Sequence, residues 1–179
     1  GYLMAEGRGV PKNIPGAMKL VQMAAERGHA LAQYNYGLHL AKGSLGEPNM
    51  VEAVKWYARA AEQGYDKAQL NLAHAFQHGN GIEKNEKRAV ELYRNAAAQG
   101  NMLALNNLGD CYVHGNGVEK NYEAAVKLFE RVQDFHPIAQ VNLGECYEFG
   151  RGVKRDLKRA AQFYQKAANR NWPSGQRDR

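Results

Sequence analysis

The fold is decided by one recurring stretch, which is clearest in Leu108-Gly109-Asp110-Cys111-Tyr112-Val113-His114-Gly115-Asn116-Gly117-Val118-Glu119-Lys120-Asn121. Its first loop glycine recurs at intervals of 36, 36, 36 and 35 residues, as Gly7, Gly43, Gly79, Gly115 and Gly150. A short polar residue recurs in step with it, as Asn13, Asn49, Asn85, Asn121 and Asp156. Self-similarity at a fixed period of this length indicates an array of repeated structural units.

Each repeat contains two helical patterns joined by a glycine turn. In the repeat that carries the quoted stretch they run from Met102 to His114 and from Tyr122 to Asp134, each with one apolar stripe at helical spacing. Gly115 is expected to end the first helix, because glycine adopts the left-handed conformation without a Cβ penalty. Gly109 is expected to let the paired helix approach closely.

The second helix of each repeat begins after the periodic asparagine. Asn121 is placed to accept hydrogen bonds from the unpaired N–H groups of the helix that follows it. Asn49 is followed three residues later by Glu52, the spacing of a capping box. A helix of about 13 residues cannot bury its stripe alone, so the repeats are predicted to stack into an all-α solenoid.

These residues resemble the Sel1-like repeat, a relative of the tetratricopeptide repeat. The shared pattern is Ala-x-x-x-Leu-Gly-x-x-Tyr-x-x-Gly-x-Gly-Val-x-x-Asn/Asp-x-x-x-Ala-x-x-x-Tyr/Phe-x-x-Ala-Ala-x-x-Gly. Good instances are Tyr57-Ala58-Arg59-Ala60-Ala61-Glu62-Gln63-Gly64 and Gly152-Val153-Lys154-Arg155-Asp156. The resemblance implies a right-handed α/α superhelix of about four and a half helix-turn-helix repeats, a fold used mainly by adaptor and scaffold proteins.

The repeats predict one array over residues 1–173. Its divisions are a partial repeat at 1–29, full repeats at 30–65, 66–101, 102–135 and 136–172, and residues 174–179 as a basic tail or the start of a truncated repeat. The junction before Pro137 is one residue short and lacks the closing glycine, and Pro137 suits a first helical turn. Both ends look like cut repeats, so we expect a longer protein.

Charge is concentrated at one end of the chain. The net charge is +6, but residues 150–179 hold nine Lys/Arg against two Asp, which leaves −1 for residues 1–149. A basic end on a near-neutral body favours nucleic acid less than a diffusely basic protein would, and no nucleic-acid partner is predicted. The 44% apolar content excludes disorder, and no apolar run is long enough to span a bilayer.

A row of asparagines is the main candidate for function. One position of every first helix, offset from the apolar stripe, is asparagine: Asn35, Asn71, Asn107 and Asn142. Resemblance to tetratricopeptide arrays implies that this position lines the concave groove, where an asparagine ladder holds a peptide backbone. A carboxamide supplies both a donor and an acceptor for that purpose. The alternative is that each asparagine bonds within its own turn or to the next helix.

Neighbouring groove positions are chemically mixed, which suits a selective surface. The predicted partner-binding residues beside the asparagines are His74, His78, Asp110, His114 and Glu145. A carboxylate clamp would need paired basic residues beside the asparagines, and only Lys42 and Lys67 are suitably placed. Recognition of a partner's C-terminal carboxylate is therefore not supported.

Metal, cofactor and catalytic sites are not predicted. The pairs His74/His78 and Asp110/His114 have the i, i+4 spacing that suits a transition metal. Helices about 10 Å apart make convergence on one ion difficult, however. The phosphate-loop and nucleophile-elbow motifs are missing, and Cys111 lies mid-helix, where nothing activates a thiol. The chain is predicted not to be an enzyme.

The sequence therefore predicts a non-enzymatic protein-interaction module. It would hold a peptide or protein segment in the groove lined by the first helices. Two alternatives stay open. The chain could be an architectural spacer that self-associates through its repeat ends. It could also bind anions through its basic end, where Lys154, Arg155, Lys158 and Arg159 flank the start of the last helix. The compartment and the identity of the partner are not specified.

Overall fold

The protein is all-α, as the sequence predicts. The computed structural model describes residues 14–44 and 46–170, and these form nine helices without a strand. They are α1 (Ile14–Glu26), α2 (Ala30–Ala41), α3 (Met50–Glu62), α4 (Asp66–His78), α5 (Glu86–Ala98), α6 (Met102–His114), α7 (Tyr122–Val132), α8 (Pro137–Phe149) and α9 (Leu157–Arg170). The predictions made for Gly7, Asn13 and residues 174–179 lie outside the described residues.

Contacts divide the chain into two compact units. Unit 1 is residues 1–95 and unit 2 is residues 96–179, so that the boundary falls within α5. In unit 1 the first helices of the repeats are α2 and α4; in unit 2 they are α6 and α8. First helices pair with the second helices that follow them, as α2 does with α3, α6 with α7 and α8 with α9.

The periodic asparagines are helix caps, as predicted. The Asn121 side chain accepts a hydrogen bond from the Ala124 amide at 2.9 Å. The cap recurs at Asn49, Asn85 and Asp156, each of which accepts from the amide three residues later at 3.0–3.1 Å. Every second helix from α3 onward therefore begins at a satisfied N-terminus.

The predicted capping box at α3 is only half formed. Asn49 accepts from the Glu52 amide at 3.0 Å, but the Glu52 carboxylate contacts Lys55 at 2.9 Å instead of returning to Asn49. The Asn49 amide donates to the Leu40 carbonyl at 2.9 Å. Because that backbone contact ties the second helix to the end of the first, the Glu52 side chain is left to form an ordinary helix-surface pair.

Paired helices approach through a glycine on the first and an aromatic ring on the second. A Cβ on Gly109 would lie 2.5 Å from the fully buried ring of Phe129, so the predicted close approach is confirmed. The same arrangement joins Gly37 to Tyr57 and Gly144 to Tyr164. In these three pairs the ring occupies the space that a side chain at the glycine would need.

The two loop glycines have different tasks. Gly115 and Gly150 have positive φ and occupy the left-handed position that ends the first helix, as expected. Gly152, the second glycine of its loop, also has positive φ, and a Cβ there would lie 2.4 Å from the Tyr122 backbone. In unit 1, Gly81 also has positive φ, and a Cβ on it would likewise collide with the backbone of Met50. The second glycine thus packs the loop on the first turn of the preceding second helix.

A buried glutamine row, which the sequence reasoning missed, ties successive repeats together. Gln33 donates to the Ala25 carbonyl at 3.1 Å, and Gln69 donates to the Ala61 carbonyl at 3.3 Å. Gln140 donates to the Gln133 carbonyl at 2.6 Å. Each amide satisfies a carbonyl at the end of the preceding helix. The recurring pair Ala-Gln near the start of a first helix was the available signal.

The short junction before Pro137 has a local effect. Helix α7 ends at Val132, two residues before the predicted end at Asp134. Without a closing glycine, the chain turns through a stretch that leaves Phe135 66% exposed. Pro137 lies in the first turn of α8, as expected, because its missing N–H has no helical partner there.

Candidate binding surface on the first helices

The predicted asparagine row lies on the first helices, and all four side chains are half-buried. Asn35 is on α2, Asn71 on α4, Asn107 on α6 and Asn142 on α8. Each is therefore partly accessible, which suits either a ligand contact or a contact with the adjacent first helix.

Two of the asparagines contact the preceding repeat. Asn142 donates to the Asn106 carboxamide oxygen at 3.3 Å. Asn71 makes side-chain hydrogen bonds with Tyr34 and Tyr57. Burial raises the pKa of Tyr57 to about 12, and the bond from Asn71 opposes that shift. Tyr34 and Asn106 occupy the same repeat position, directly before the asparagine, so the two contacts are equivalent.

Asn35 and Asn107 differ from the other two. Within the described part of the chain, the structure gives neither of them a side-chain hydrogen bond. The asparagine row is thus mixed: two members link neighbouring helices, and two keep their amide groups available.

The structure brings four predicted residues of unit 2 together. Asp110, His114, Asn142 and Glu145 line one recess of about 20 Å³ between α6 and α8. That volume suits about one water molecule or the tip of one side chain. His114 Nδ1 lies 3.2 Å from the Asp110 carboxylate and 3.0 Å from the Asp110 carbonyl oxygen.

An aromatic and cationic cluster adjoins this recess. Phe149, at the end of α8, is 59% exposed. The Arg151 guanidinium lies 5.0 Å from the Phe149 ring centroid and 5.9 Å from that of Tyr122, and Arg151 also lines the recess. Exposed aromatic residues and arginine are enriched among the residues that dominate protein interfaces. The recess and its rim therefore combine acidic, basic, amide and aromatic groups.

In unit 1 the predicted histidines lie against each other. The rings of His74 and His78 on α4 have centroids 4.3 Å apart. Burial, and to a lesser extent the charge of His78, lowers the pKa of His74. No group of three metal-ligating side chains occurs among the described residues.

The sequence reasoning missed an exposed apolar position on the same helix face. Four residues before each asparagine stand Leu31, Lys67, Leu103 and Ile138. The three apolar members are 57%, 48% and 57% exposed. Residues spaced i, i+4, i+7 and i+11 share a helix face, so counting back from the asparagines would have found them.

The basic end is partly used within the fold. Arg155 Nε donates to the Glu148 carbonyl at 3.0 Å, near the C-terminus of α8, where a cation is favoured by the helix dipole. Arg159 donates to the Tyr147 hydroxyl at 3.0 Å. These contacts account for two cations at the start of α9, which the sequence alone left unexplained.

Comparison with known families identifies the repeats. The Sel1 repeat model matches residues 1–29, 30–65, 66–101, 103–131 and 137–172. The chain belongs to the Sel1 repeat family. The predicted resemblance and the all-α solenoid class are therefore confirmed. No curated protein matches the chain.

Solved structures share this fold. A Sel1 repeat protein from Oxalobacter formigenes is 39% identical with a TM-score of 0.88, and the match covers 95% of this chain and 68% of that one. The antigen c5321 of uropathogenic Escherichia coli strains is 31% identical with a TM-score of 0.85, over 94% of this chain and 36% of its own. Cysteine rich protein B of Helicobacter pylori, 20% identical over 71% of this chain and 95% of its own, shares the fold, with a TM-score of 0.57.

Sel1 repeats are typically protein-interaction modules, and this chain has the fold of such a module. None of the helices described by the structure is long and apolar enough to cross a membrane. Cys111 and Cys146 are buried and are not disulfide-bonded. Burial raises the pKa of the Cys146 thiol to about 11, which keeps it protonated.

Proposed function

We propose that this Sel1 chain is a non-enzymatic adaptor that binds a peptide or protein segment on the first-helix face of unit 2. One observation carries the proposal: Asp110, His114, Asn142 and Glu145 line one recess together with the half-buried Arg151, beside the exposed ring of Phe149. Four different side-chain chemistries at one place suit recognition of a specific sequence.

The parts of this face have separate roles in the proposal. Leu103 and Ile138 offer apolar contact near the starts of α6 and α8. Asn107 offers its amide to the partner backbone. Phe149 offers an exposed ring that a partner side chain would cover, and burial of a large aromatic ring contributes much of the binding energy at an interface.

The structure decides which asparagine serves as the test. Asn107→Ala removes an amide that has no internal hydrogen bond among the residues that the structure describes, so the melting temperature should stay nearly unchanged. Asn71→Ala should lower stability by about 1 kcal/mol, because the Tyr34 and Tyr57 hydroxyls lose a partner. A loss of binding in Asn107→Ala can therefore be attributed to a lost partner contact, whereas a loss in Asn71→Ala could also come from lower stability.

The experiment is a selection of random displayed peptides on the purified chain. Selected peptides should lose about tenfold in affinity for Asn107→Ala and for Phe149→Ala, as expected for the loss of one hydrogen bond or one aromatic anchor. Lys55→Gln, a change on the surface of the second helix α3, is the control and should bind normally. Peptides that bind all variants alike would refute the proposed surface.

A second candidate function rests on a different observation. A cleft of about 380 Å³ between α1 and α2 is lined mainly by apolar side chains, including the exposed Leu20 and Leu31. Apolar surface of this kind favours self-association or stacking on a further repeat. Sedimentation over a range of concentrations tests it: Leu20→Lys should abolish association, and a monomer at every concentration would exclude this candidate.

A further inference from the structure

Each unit carries a cleft between two of its second helices, and the two clefts are equivalent by repeat position. In unit 1 the cleft lies between α3 and α5 and measures about 440 Å³; in unit 2 it lies between α7 and α9 and measures about 310 Å³. Each residue that lines the unit 2 cleft has a counterpart in the unit 1 cleft. The counterpart lies 72 positions earlier for residues before the short junction at Pro137, and 71 positions earlier for residues after it. Differences between the clefts are therefore differences of side chain at matched backbone sites.

The cleft of unit 1 is mainly apolar, and its arginine is already neutralised. Leu72, Phe76 and Leu92 are among the residues that line it. Arg88 forms an ion pair with Glu91, three residues on, at 3.1 Å. The cation of this cleft therefore has its counter-ion on its own helix.

In unit 2 the matched positions on α9 change in favour of anion binding, whereas Glu130, which replaces Ala58, adds one carboxylate to the lining. The equivalent of Arg88 is Arg159, but the equivalent of Glu91 is Gln162, so the arginine has no carboxylate three residues on. A lysine, Lys166, replaces Asn95. Helix α9 contains Lys158, Arg159, Lys166 and Arg170 and no acidic residue.

The two cations are held in place by aromatic rings. The Arg159 guanidinium lies 5.2 Å from the Tyr147 ring centroid and donates to its hydroxyl at 3.0 Å. The Lys166 ammonium lies 5.6 Å from the Phe163 centroid, and the Tyr147 and Phe163 rings stack at 5.6 Å. Packing on aromatic faces limits the freedom of both side chains, which lowers the entropy lost when a ligand binds.

The remaining lining groups favour a ligand with a polar body. Gln133 and Gln162 supply amides, and Glu130 supplies one carboxylate that can accept a hydrogen bond from a hydroxyl. The charges that line the cleft are then two positive and one negative. An oxyanion at the cations, carried on a hydroxylated body near Glu130, matches this arrangement.

We propose that the cleft between α7 and α9 is a binding site for a small phosphate- or carboxylate-bearing molecule with a hydroxylated body. Its oxyanion contacts Arg159 and Lys166. This site is separate from the first-helix face proposed above for a protein partner.

Isothermal titration with three small probes tests the proposal. Glycerol 3-phosphate and glycerate carry the two oxyanions on a hydroxylated body, and glycerol is their neutral counterpart. We expect heat of binding from at least one of the two anions and none from glycerol. Heat from glycerol 3-phosphate alone would identify the ligand class as a phosphate, and heat from glycerate alone would identify it as a carboxylate.

The matched variants reproduce the unit 1 cleft in unit 2. Gln162→Glu gives Arg159 the counter-ion that Arg88 has, and it should weaken binding about tenfold, as should Lys166→Asn. Gln162→Met has a similar size without the charge and isolates the electrostatic effect. Lys158→Gln removes a positive charge from the same helix outside the cleft and should change affinity less than about twofold.

Three results would overturn the proposal. The first is the absence of heat from both anions. The second is binding that Gln162→Glu leaves unchanged. The third is an equal loss in Lys158→Gln and Lys166→Asn, which would mean that the basic end attracts anions diffusely. All three substituted positions carry exposed side chains, and the helical circular dichroism of each variant confirms that it is folded.

Discussion

The most demanding test of the repeat architecture is a pair of glycine substitutions. Gly100 and Gly152 both have positive φ, +86° and +71°, and both lie in unit 2. An added Cβ would meet nothing within 4 Å at Gly100, whereas at Gly152 it would lie 2.4–2.7 Å from three backbone atoms of Tyr122 and Glu123. The substitutions Gly100→Ala and Gly152→Ala therefore share the same backbone strain and differ in available space.

The expected loss of stability follows from these two contributions. Placing a residue with a side chain in the left-handed region lowers the free energy of unfolding by about 1–2 kcal/mol. Alanine also makes the unfolded chain less flexible than glycine does, which raises that free energy by about 0.4–1 kcal/mol. Gly100→Ala should therefore lower the free energy of unfolding by about 1 kcal/mol. Carbon atoms pack at about 3.5–4.0 Å, so Gly152→Ala must displace the loop by about 1 Å, and overpacking of this kind adds about 1–3 kcal/mol.

Urea unfolding followed by helical circular dichroism measures the difference. We expect Gly152→Ala to be the less stable variant by about 2 kcal/mol, which corresponds to a melting temperature lower by about 4–8 °C. Asparagine tolerates the left-handed region better than alanine. Gly100→Asn should therefore approach the parent stability, while Gly152→Asn should stay destabilised.

Equal losses at the two positions would refute the reasoning. They would mean that backbone conformation alone explains the second loop glycine and that packing on the preceding second helix adds nothing. A greater loss at Gly100 would contradict the close approach itself.

Three further predictions follow from single contacts. Asn121→Ala removes the hydrogen bond that caps α7 and should lower stability by about 1 kcal/mol, measured by thermal unfolding; an unchanged melting temperature would contradict it. Burial lowers the pKa of His39 and of His136, so the unfolded state binds protons first as the pH falls. Stability should therefore be fully present above about pH 6.5 and decline as the pH falls through the lowered folded-state values; His136→Gln should reduce that decline, and urea midpoints at several pH values measure it. Cys146, with its pKa raised to about 11, should resist alkylation at pH 7 until urea is added, and rapid labelling of the native chain would show that the thiol is accessible.

Much of the fold could be predicted because its signals are local. A glycine that ends a helix and an asparagine that caps the next one act through their own backbone, so Gly115 and Asn121 could be interpreted without any tertiary information. Repetition strengthened each prediction, since a glycine or asparagine that recurs at the same interval from repeat to repeat is not a chance match. The bounds of α6, the start of α7 and the Gly109 approach to its partner helix followed from the same pattern, whereas the end of α7 did not.

The candidate site could be predicted only in part. Helical spacing places Asn71 and Asn107 on the same face of their helices, but spacing does not reveal what lies opposite. Tyr34 and Tyr57 are opposite Asn71, whereas Asn107 has no internal hydrogen bond among the described residues. Their roles differ because packing between repeats, not helical periodicity, determines which polar groups are already paired.

The sequence by itself determined the repeat and the family, because the same residues recur at a fixed interval, and it determined the helices and their caps, because these depend on residues close together in the chain. Only the tertiary structure determined what the loops and helix faces contact. It showed that Gly152 packs on the start of α7 and that Asp110 and Glu145 line one recess. It also showed that Arg159, which has no carboxylate three residues on, lines a cleft. These features depend on residues about 15–35 positions apart, whose proximity arises only when repeats stack.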